Sequence, residues 1–294
     1  MTLRLVLPLP GSEAFSARLA GAGGFELGGL EFRRFPDGER YLRIDVDPKG
    51  RPVDIVCANA DEHFLTLAFV ADALRDLGAS EVTLVAPYLG YMRQDARFRP
   101  GEAVTSRTFA RLVSCLVDRL ITVDPHLHRF SHLDELYKIP CVALRAAPLI
   151  SEWIAREVAN PLIIGPDAES EQWAAEIASR CGVPYALLSK TRQGDRDVQI
   201  AMPDLGLHAG RQPVLIDDIA SSGRTLIAAS AALRKQGFPA PVCVVVHAIF
   251  VADAFDKASA ETLRIVSTDT VAHASNTISI ASLIAQALVG LNDS

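Results

Sequence analysis

Along the chain, short β-branched apolar runs alternate with longer stretches in which apolar residues return every three or four positions. The runs Leu3–Leu7, Leu30–Phe35, Asp54–Ala58, Glu81–Ala86, Arg119–Val123 and Pro140–Leu144 predict strands. Most are short and apolar, as strands buried on both faces of a parallel sheet are. Between them, Ala14–Ala20, His63–Leu77 with Gly78 behind it, and Thr105 or Ser106 to about Val117 carry helical spacing. Near residue 145 the pattern restarts. Helices are predicted over Pro148–Val158, Glu171–Arg180, Thr225–Gln236 and Ile278–Leu288, with strands over Leu162–Ile164, Tyr185–Ser189, Val198–Met202, Val214–Ile216, Val242–His247 and Leu263–Ser267. Such alternation builds α/β layers with helices on both faces of a mostly parallel sheet. We expect two domains, 1–145 and 146–294, and the repeated strand–helix–strand units with acidic loops suggest duplication.

Composition narrows this picture. At 294 residues the chain has room for two domains of about 150 residues. Its 49% hydrophobic and 22% charged residues describe an ordinary soluble globular protein. The net charge of -6 argues against non-specific binding to nucleic acid or an anionic membrane, so phosphate binding would need local arginines and a divalent cation. Cys57, Cys115, Cys141, Cys181 and Cys243 form no Cys-x-x-Cys pair, which fits free thiols in a reducing cytoplasm. The apolar stretch before Pro8 and Pro10 is too short for a signal sequence, and no run approaches the roughly 18 apolar residues of a membrane span.

Candidate chemistry concentrates in loops that follow strands. From Val214–Ile216 the chain enters Asp217 and Asp218, then the small residues Ser221, Ser222, Gly223 and, past Arg224, Thr225 at a helix start. Two acids at a sheet edge can accept from diol hydroxyls, and a helix N-terminus favours phosphate. By its residues alone the stretch is also an acidic turn before a capped helix. Arg33–Arg40 contains Pro36-Asp37-Gly38, a turn signal that would suit a plain hairpin. Pro87–Asp95, with Arg97 and Arg99 beyond, is rich in arginine and glutamine, as a solvated loop also can be. His126, His128 and His132 are spaced so that either a metal cluster or surface and capping roles are open. Asp167 follows Gly165-Pro166, and Lys190-Thr191-Arg192-Gln193-Gly194-Asp195 reads as a mobile polar hairpin.

Taken together, these motifs resemble those of ribose-phosphate diphosphokinases over about Phe32 to Asp269. Asp217–Thr225 is similar to the phosphoribosyl-diphosphate motif shared with type I phosphoribosyltransferases, with Arg224 at a usually small position. Phe35-Pro36-Asp37-Gly38-Glu39 and Pro87-Tyr88-Leu89-Gly90-Tyr91-Met92-Arg93-Gln94-Asp95 resemble the family's ATP-binding segments. The second is the more specific, because phosphoribosyltransferases that use a base lack it.

The resemblance implies two phosphoribosyltransferase-type (type I) domains and transfer of the diphosphoryl group of ATP to the 1-hydroxyl of ribose 5-phosphate, giving phosphoribosyl diphosphate and AMP. It implies Phe35, Asp37, Glu39, Arg93 and Gln94 as ATP contacts, and Asp217, Asp218, Ser221, Ser222, Gly223 and Thr225 as ribose-5-phosphate contacts. Lys190, Arg192 and His126 become the catalytic candidates, and His126 and Asp167 the candidate ligands of Mg²⁺. His128 and His132 take no role from it. Family members assemble as dimers or hexamers, so a cytoplasmic homo-oligomer is expected. Pro125 and Ala168–Ser170 also depart from the family pattern, which keeps open a catalytically weak regulatory paralogue beside a type I phosphoribosyltransferase that consumes phosphoribosyl diphosphate.

Overall fold

The computed structural model describes residues 3–167, 170–193, 197–201 and 203–291, and for residues 189–193 and 197–201 it describes backbone only. The chain divides into two compact units, one of residues 1–144 with 281–294, the other of residues 145–280.

In the first unit, β1 (Leu5–Pro8), β2 (Glu26–Leu27), β5 (Pro52–Val56), β6 (Glu81–Ala86), β7 (Arg119–Val123) and β8 (Cys141–Leu144) form one sheet in the order β2-β1-β5-β6-β7-β8. Every pairing is parallel. Its helices are α1 (Glu13–Gly23), α2 (Phe64–Asp76), α3 (Thr105–Leu116) and α8 (Ala281–Gly290). A hairpin of β3 (Leu30–Arg34) and β4 (Arg40–Ile44) stands apart from this sheet. The expected division placed the terminal helix with the second half. Instead α8 packs on α1, and its Ala281, Ile284, Ala285 and Leu288 are buried.

The second unit repeats the plan. β9 (Pro161–Gly165), β10 (Tyr185–Leu187), β13 (Gln212–Ala220), β14 (Val242–Ala248), β15 (Arg264–Thr268) and β16 (Asn276–Ile278) pair in parallel in the order β10-β9-β13-β14-β15-β16. Its helices are α4 (Ala147–Glu157), α5 (Glu171–Cys181), α6 (Arg224–Lys235) and α7 (Ala254–Glu261), and its hairpin is β11 (Ser189–Gln193) with β12 (Asp197–Ala201). Each sheet is buried from both sides because helices cover it: the consecutive residues Leu84 and Val85 in the first, and Ile163 and Ile164, Val244 and Val245 in the second, point to opposite faces and are inaccessible to solvent. The core of the first unit also holds an ion pair, Arg4 to Asp54 at 2.6 Å. Burial pushes the Asp54 carboxyl up to about 7 despite the pull of Arg4.

Candidate active site

In the second unit β13 pairs with β9 only over Gln212–Leu215 but follows β14 as far as Ala220. The strand therefore runs through Asp217 and Asp218 instead of ending before them. Both half-buried acids lie past their last pairing with β9 while β14 still holds the backbone. The chain leaves β9 for β10 on one side and returns as β13 on the other, so strand order reverses at this point. A crevice outside the carboxyl ends of the strands at such a reversal is where open α/β sheets bind ligands. Asp167, just beyond β9, flanks the same place, and its Oδ1 accepts from the Ser170 amide at 3.2 Å. Asp217 Oδ1 accepts from the amide of Asp218 at 3.1 Å and Asp218 Oδ1 from that of Ile219 at 2.8 Å. Burial pushes the neighbouring Cys243 thiol up, and the charge of Asp217 adds to the effect, so this thiol stays protonated.

Ser221, Ser222 and Gly223 carry the chain from β13 into α6. Gly223 is the helix N-cap with φ 69°, and a Cβ there would stand 3.1 Å from the Ala254 carbonyl oxygen and 3.4 Å from Ala258 Cβ. Only glycine meets both the left-handed backbone and the close approach of α7. No side chain caps this helix and its first turn contains no acid. The first amides of α6 thus lack helical acceptors at the positive end of the dipole, an arrangement suited to a phosphate. The loop is held from behind: the Ile249 amide donates to Ala220 O at 3.0 Å and the Val251 amide to Ser221 O at 3.2 Å. Arg224 is exposed at the first helical position and leaves the loop backbone intact.

In the first unit the candidate residues occupy the hairpin and the loops after β6 and β7. Gly38, at φ 95°, donates its amide to Phe35 O at 2.9 Å, and Phe35 donates to Glu39 O at 2.8 Å. The Asp37 carboxylate accepts from the Glu39 amide at 3.0 Å. This tight turn leaves the Phe35 ring 39% exposed, with the Arg33 guanidinium 4.7 Å from its centroid and Tyr41 edge-on at 6.1 Å. An accessible aromatic face beside polar groups suits a planar base.

After β6, Leu89 and Met92 plug into the core, while Arg93 is exposed and Gln94 half-exposed. Asp95 is buried, pairs with Arg129 at 3.3 Å through Oδ1, and leaves Oδ2 without a partner. A cavity of about 550 Å³ opens here, lined by Asp95, Arg97, Arg107, Thr108, Arg129 and Phe130 among others, an environment for an anion. Half-buried His126 follows Asp124, and its ring meets that of His128 edge-on at 4.2 Å. His132 heads a short 3₁₀ turn in which Glu135 accepts from the His132 amide at 3.2 Å.

Among the described residues, four non-glycines have positive φ: Tyr91 (65°), Asp124 (36°), Asn160 (49°) and Ala252 (49°). Such a backbone costs ~1–2 kcal/mol per residue, and all but Asn160 lie in or directly behind these loops. Strained backbone persists only where the surrounding structure holds it.

The structure thus gathers Asp167, Asp217, Asp218, Ser221, Ser222, Gly223 and Thr225 at one sheet edge of the second unit, and Arg93, Gln94 and His126 in strand-end loops of the first. Phe35, Asp37 and Glu39 sit on the hairpin. Lys190 and Arg192 lie on β11, opposite Ile200 and Val198. Their side chains, and residues Ala168, Glu169 and Gly194, lie outside the described residues. His126 and Asp167 belong to different units. Among the described residues no group of three or more His, Cys, Asp or Glu side chains is arranged to hold a metal ion. Sequence reasoning missed Asp61, whose carboxylate accepts from the Tyr91 hydroxyl, and the cavity arginines Arg107 and Arg129. Residues this far apart carry no local signal of their meeting. Among the described residues no helix is long and apolar enough to cross a membrane.

Both units resemble known proteins. Residues 5–116 match the N-terminal domain of ribose phosphate pyrophosphokinase and residues 132–275 the phosphoribosyl transferase domain. A ribose-phosphate pyrophosphokinase of Methanopyrus kandleri is 36% identical over 91% of this chain and 92% of its own length. One from Methanosarcina acetivorans is 35% identical over 95% and 97%. The crystal structure of phosphoribosylpyrophosphate synthetase from Mycobacterium smegmatis shares the fold, with a TM-score of 0.86 and 22% identity over 99% of both chains. Full-length identity at this level, over two units that each match a domain model, means that the chain belongs to the ribose-phosphate pyrophosphokinase family.

Proposed function

We propose that this chain transfers the β,γ-diphosphoryl group of ATP to the 1-hydroxyl of ribose 5-phosphate, forming phosphoribosyl diphosphate and releasing AMP. One observation carries the sugar-phosphate half of the reading: two half-buried acids at a strand-order reversal run into a helix with no side-chain cap and no acid in its first turn; membership of the ribose-phosphate pyrophosphokinase family supports ATP as the donor. The acids accept from the ribose hydroxyls, while Ser221, Ser222, Gly223 and Thr225 take the 5-phosphate. Phe35, Asp37, Glu39, Arg93 and Gln94 hold ATP. Lys190 and Arg192 then act on the diphosphoryl group as the oxygen of AMP departs.

The bond from the 1-hydroxyl oxygen to the β-phosphorus forms as the bond from that phosphorus to the oxygen bridging it to the α-phosphate breaks; that oxygen leaves on AMP and the hydroxyl proton passes to solvent. Alignment and charge stabilisation supply most of the catalysis in such a transfer. The half-buried Asp167 carboxylate has the chemistry for Mg²⁺, which takes one or two protein carboxylates and otherwise water and phosphate oxygens; His126, on the first unit, is the other candidate ligand. When bound, the ion offsets charge on the phosphates. A cytoplasmic homo-oligomer, dimer or hexamer, belongs to the same proposal.

The test is formation of AMP from ATP by the purified protein. AMP should appear only when both ribose 5-phosphate and Mg²⁺ are present. AMP released without the sugar phosphate would overturn the reading, as would activity confined to phosphoribosyl diphosphate with a free base.

A further inference from the structure

The loop after β6 holds a left-handed residue with a bulky side chain. Tyr91 sits at φ 65°, between Leu89 and Met92, each 2% exposed. A β-carbon disfavours this conformation, so something outside the residue must hold it. Two contacts do so. The Tyr91 ring lies against Phe109 of α3 with centroids 4.8 Å apart, and its hydroxyl donates to the carboxylate of Asp61 in the loop between β5 and α2. Adjacent strands β5 and β6 thus have their outgoing loops tied across the sheet edge. Arg93 and Gln94 follow directly, and the Gln94 carbonyl accepts from the Ser106 amide at the start of α3 at 3.3 Å.

We infer that Asp61 and Tyr91 form a latch that holds the loop after β6 in the shape that presents Arg93 and Gln94 to the nucleotide. The inference rests on the proposed nucleotide role of those two residues. Asp61 and Tyr91 are positioning residues. The hydroxyl–carboxylate bond fixes the tyrosine, the tyrosine fixes a left-handed turn, and the turn drives Met92 inward, leaving Arg93 outside. Without the latch the loop relaxes toward an ordinary backbone, and the two ATP contacts lose their preset direction.

Asp61→Ala removes the acceptor, Tyr91→Phe removes the donor but keeps the ring on Phe109, and Asp61→Asn retains an acceptor oxygen. Hydrogen exchange of residues 87–95 in the free protein should be faster in Asp61→Ala and Tyr91→Phe, and near wild type in Asp61→Asn. In steady state the same two variants should raise KM for ATP about five-fold, the size of one hydrogen bond, with KM for ribose 5-phosphate and kcat unchanged. The double variant Asp61→Ala/Tyr91→Phe should be no worse than either single one. Unchanged exchange in Asp61→Ala, or effects of the two changes that add, overturns the latch. Arg93→Ala run alongside separates the two readings: if it leaves KM for ATP unaltered the nucleotide assignment falls, while the exchange result still decides whether the latch exists.

Discussion

The two units are wound alike, yet their equivalent loops carry opposite chemistry. Strand for strand, β2-β1-β5-β6-β7-β8 matches β10-β9-β13-β14-β15-β16, and each unit inserts its hairpin at the same point of the chain, β3–β4 in one and β11–β12 in the other. At the reversal of strand order the second unit presents Asp217 and Asp218, then Ser221, Ser222 and Gly223 before α6. The first presents Cys57 and Ala58, then Asp61, Glu62 and His63 before α2. Carboxylates stand in the first unit where the second has serines, and a bulky N-cap where the second has glycine. A phosphate would meet like charge there. The shared winding supplies two sheet edges, but only that of the second unit leads into a helix start with small residues and no acid in its first turn, the chemistry suited to a phosphate, which is why fold alone does not assign function.

The largest expected effect concerns the cores. Counted back from the helix that follows each strand, Asp54 of β5 corresponds to Val214 of β13, so an ion pair in one unit stands where the other is apolar. Asp54→Ala removes the carboxylate that Arg4 pairs with in the core and should lower stability by ~3–5 kcal/mol in denaturant titration. Arg4→Met with Asp54→Leu, which makes the pair apolar as the second unit is at Val214, should be neutral or stabilising. The pH dependence has a definite sign. The Asp54 carboxyl rises from about 3.9 in the unfolded chain to about 7 in the folded one. The folded state therefore binds the extra proton, and this group's contribution falls as pH climbs through that interval. The double variant should lose that component, and an unchanged profile would remove Asp54 from the account.

Next comes the hairpin pair. Lys190→Ala on β11 should lower kcat on the order of 10²–10³ with little change in either KM, as expected for a fixed cation met only in the transition state. Asp37→Ala, in the turn of the equivalent hairpin of the first unit, should instead raise KM for ATP and spare ribose 5-phosphate. Exchange of these two signatures would mean that the roles of the hairpins have been assigned the wrong way round.

A smaller effect, about ten-fold, is expected at the N-caps. Gly223→Ala strains a left-handed residue and pushes a methyl group toward the Ala254 carbonyl, and should raise KM for ribose 5-phosphate by that order, equivalent to ~1.4 kcal/mol. His63→Ala at the equivalent position should leave that KM where it was. Equal effects at both would break the asymmetry.

Much of this plan can be read in the sequence, for physical reasons that also mark where reading stops. Glu81–Ala86 and Arg119–Val123 stand as strands over the ranges that their β-branched runs predict, because both faces are buried and nothing competes with the pattern. The strand carrying the two acids extends to Ala220, which follows from pairing with β14, a tertiary fact invisible in Pro213–Leu226 itself. β2 and β16 are too short to show a period, and α7, rich in alanine and serine, gives little apolar contrast. Asp217 and Gly223 were legible because strand, acids and small residues are contiguous. The tie between Asp61 and Tyr91 was not, since it joins two loops separated by a helix and a strand.

If only one of the two like-wound units holds the sugar phosphate, the protein binds one molecule of it per chain. Isothermal titration of the purified protein with ribose 5-phosphate should give one site per chain. That site should vanish when Ser221→Asp and Ser222→Glu place the first unit's own residues in the second unit's loop. Two sites per chain, or a site that survives this exchange and is lost instead on changing Asp61, Glu62 and His63, would contradict it.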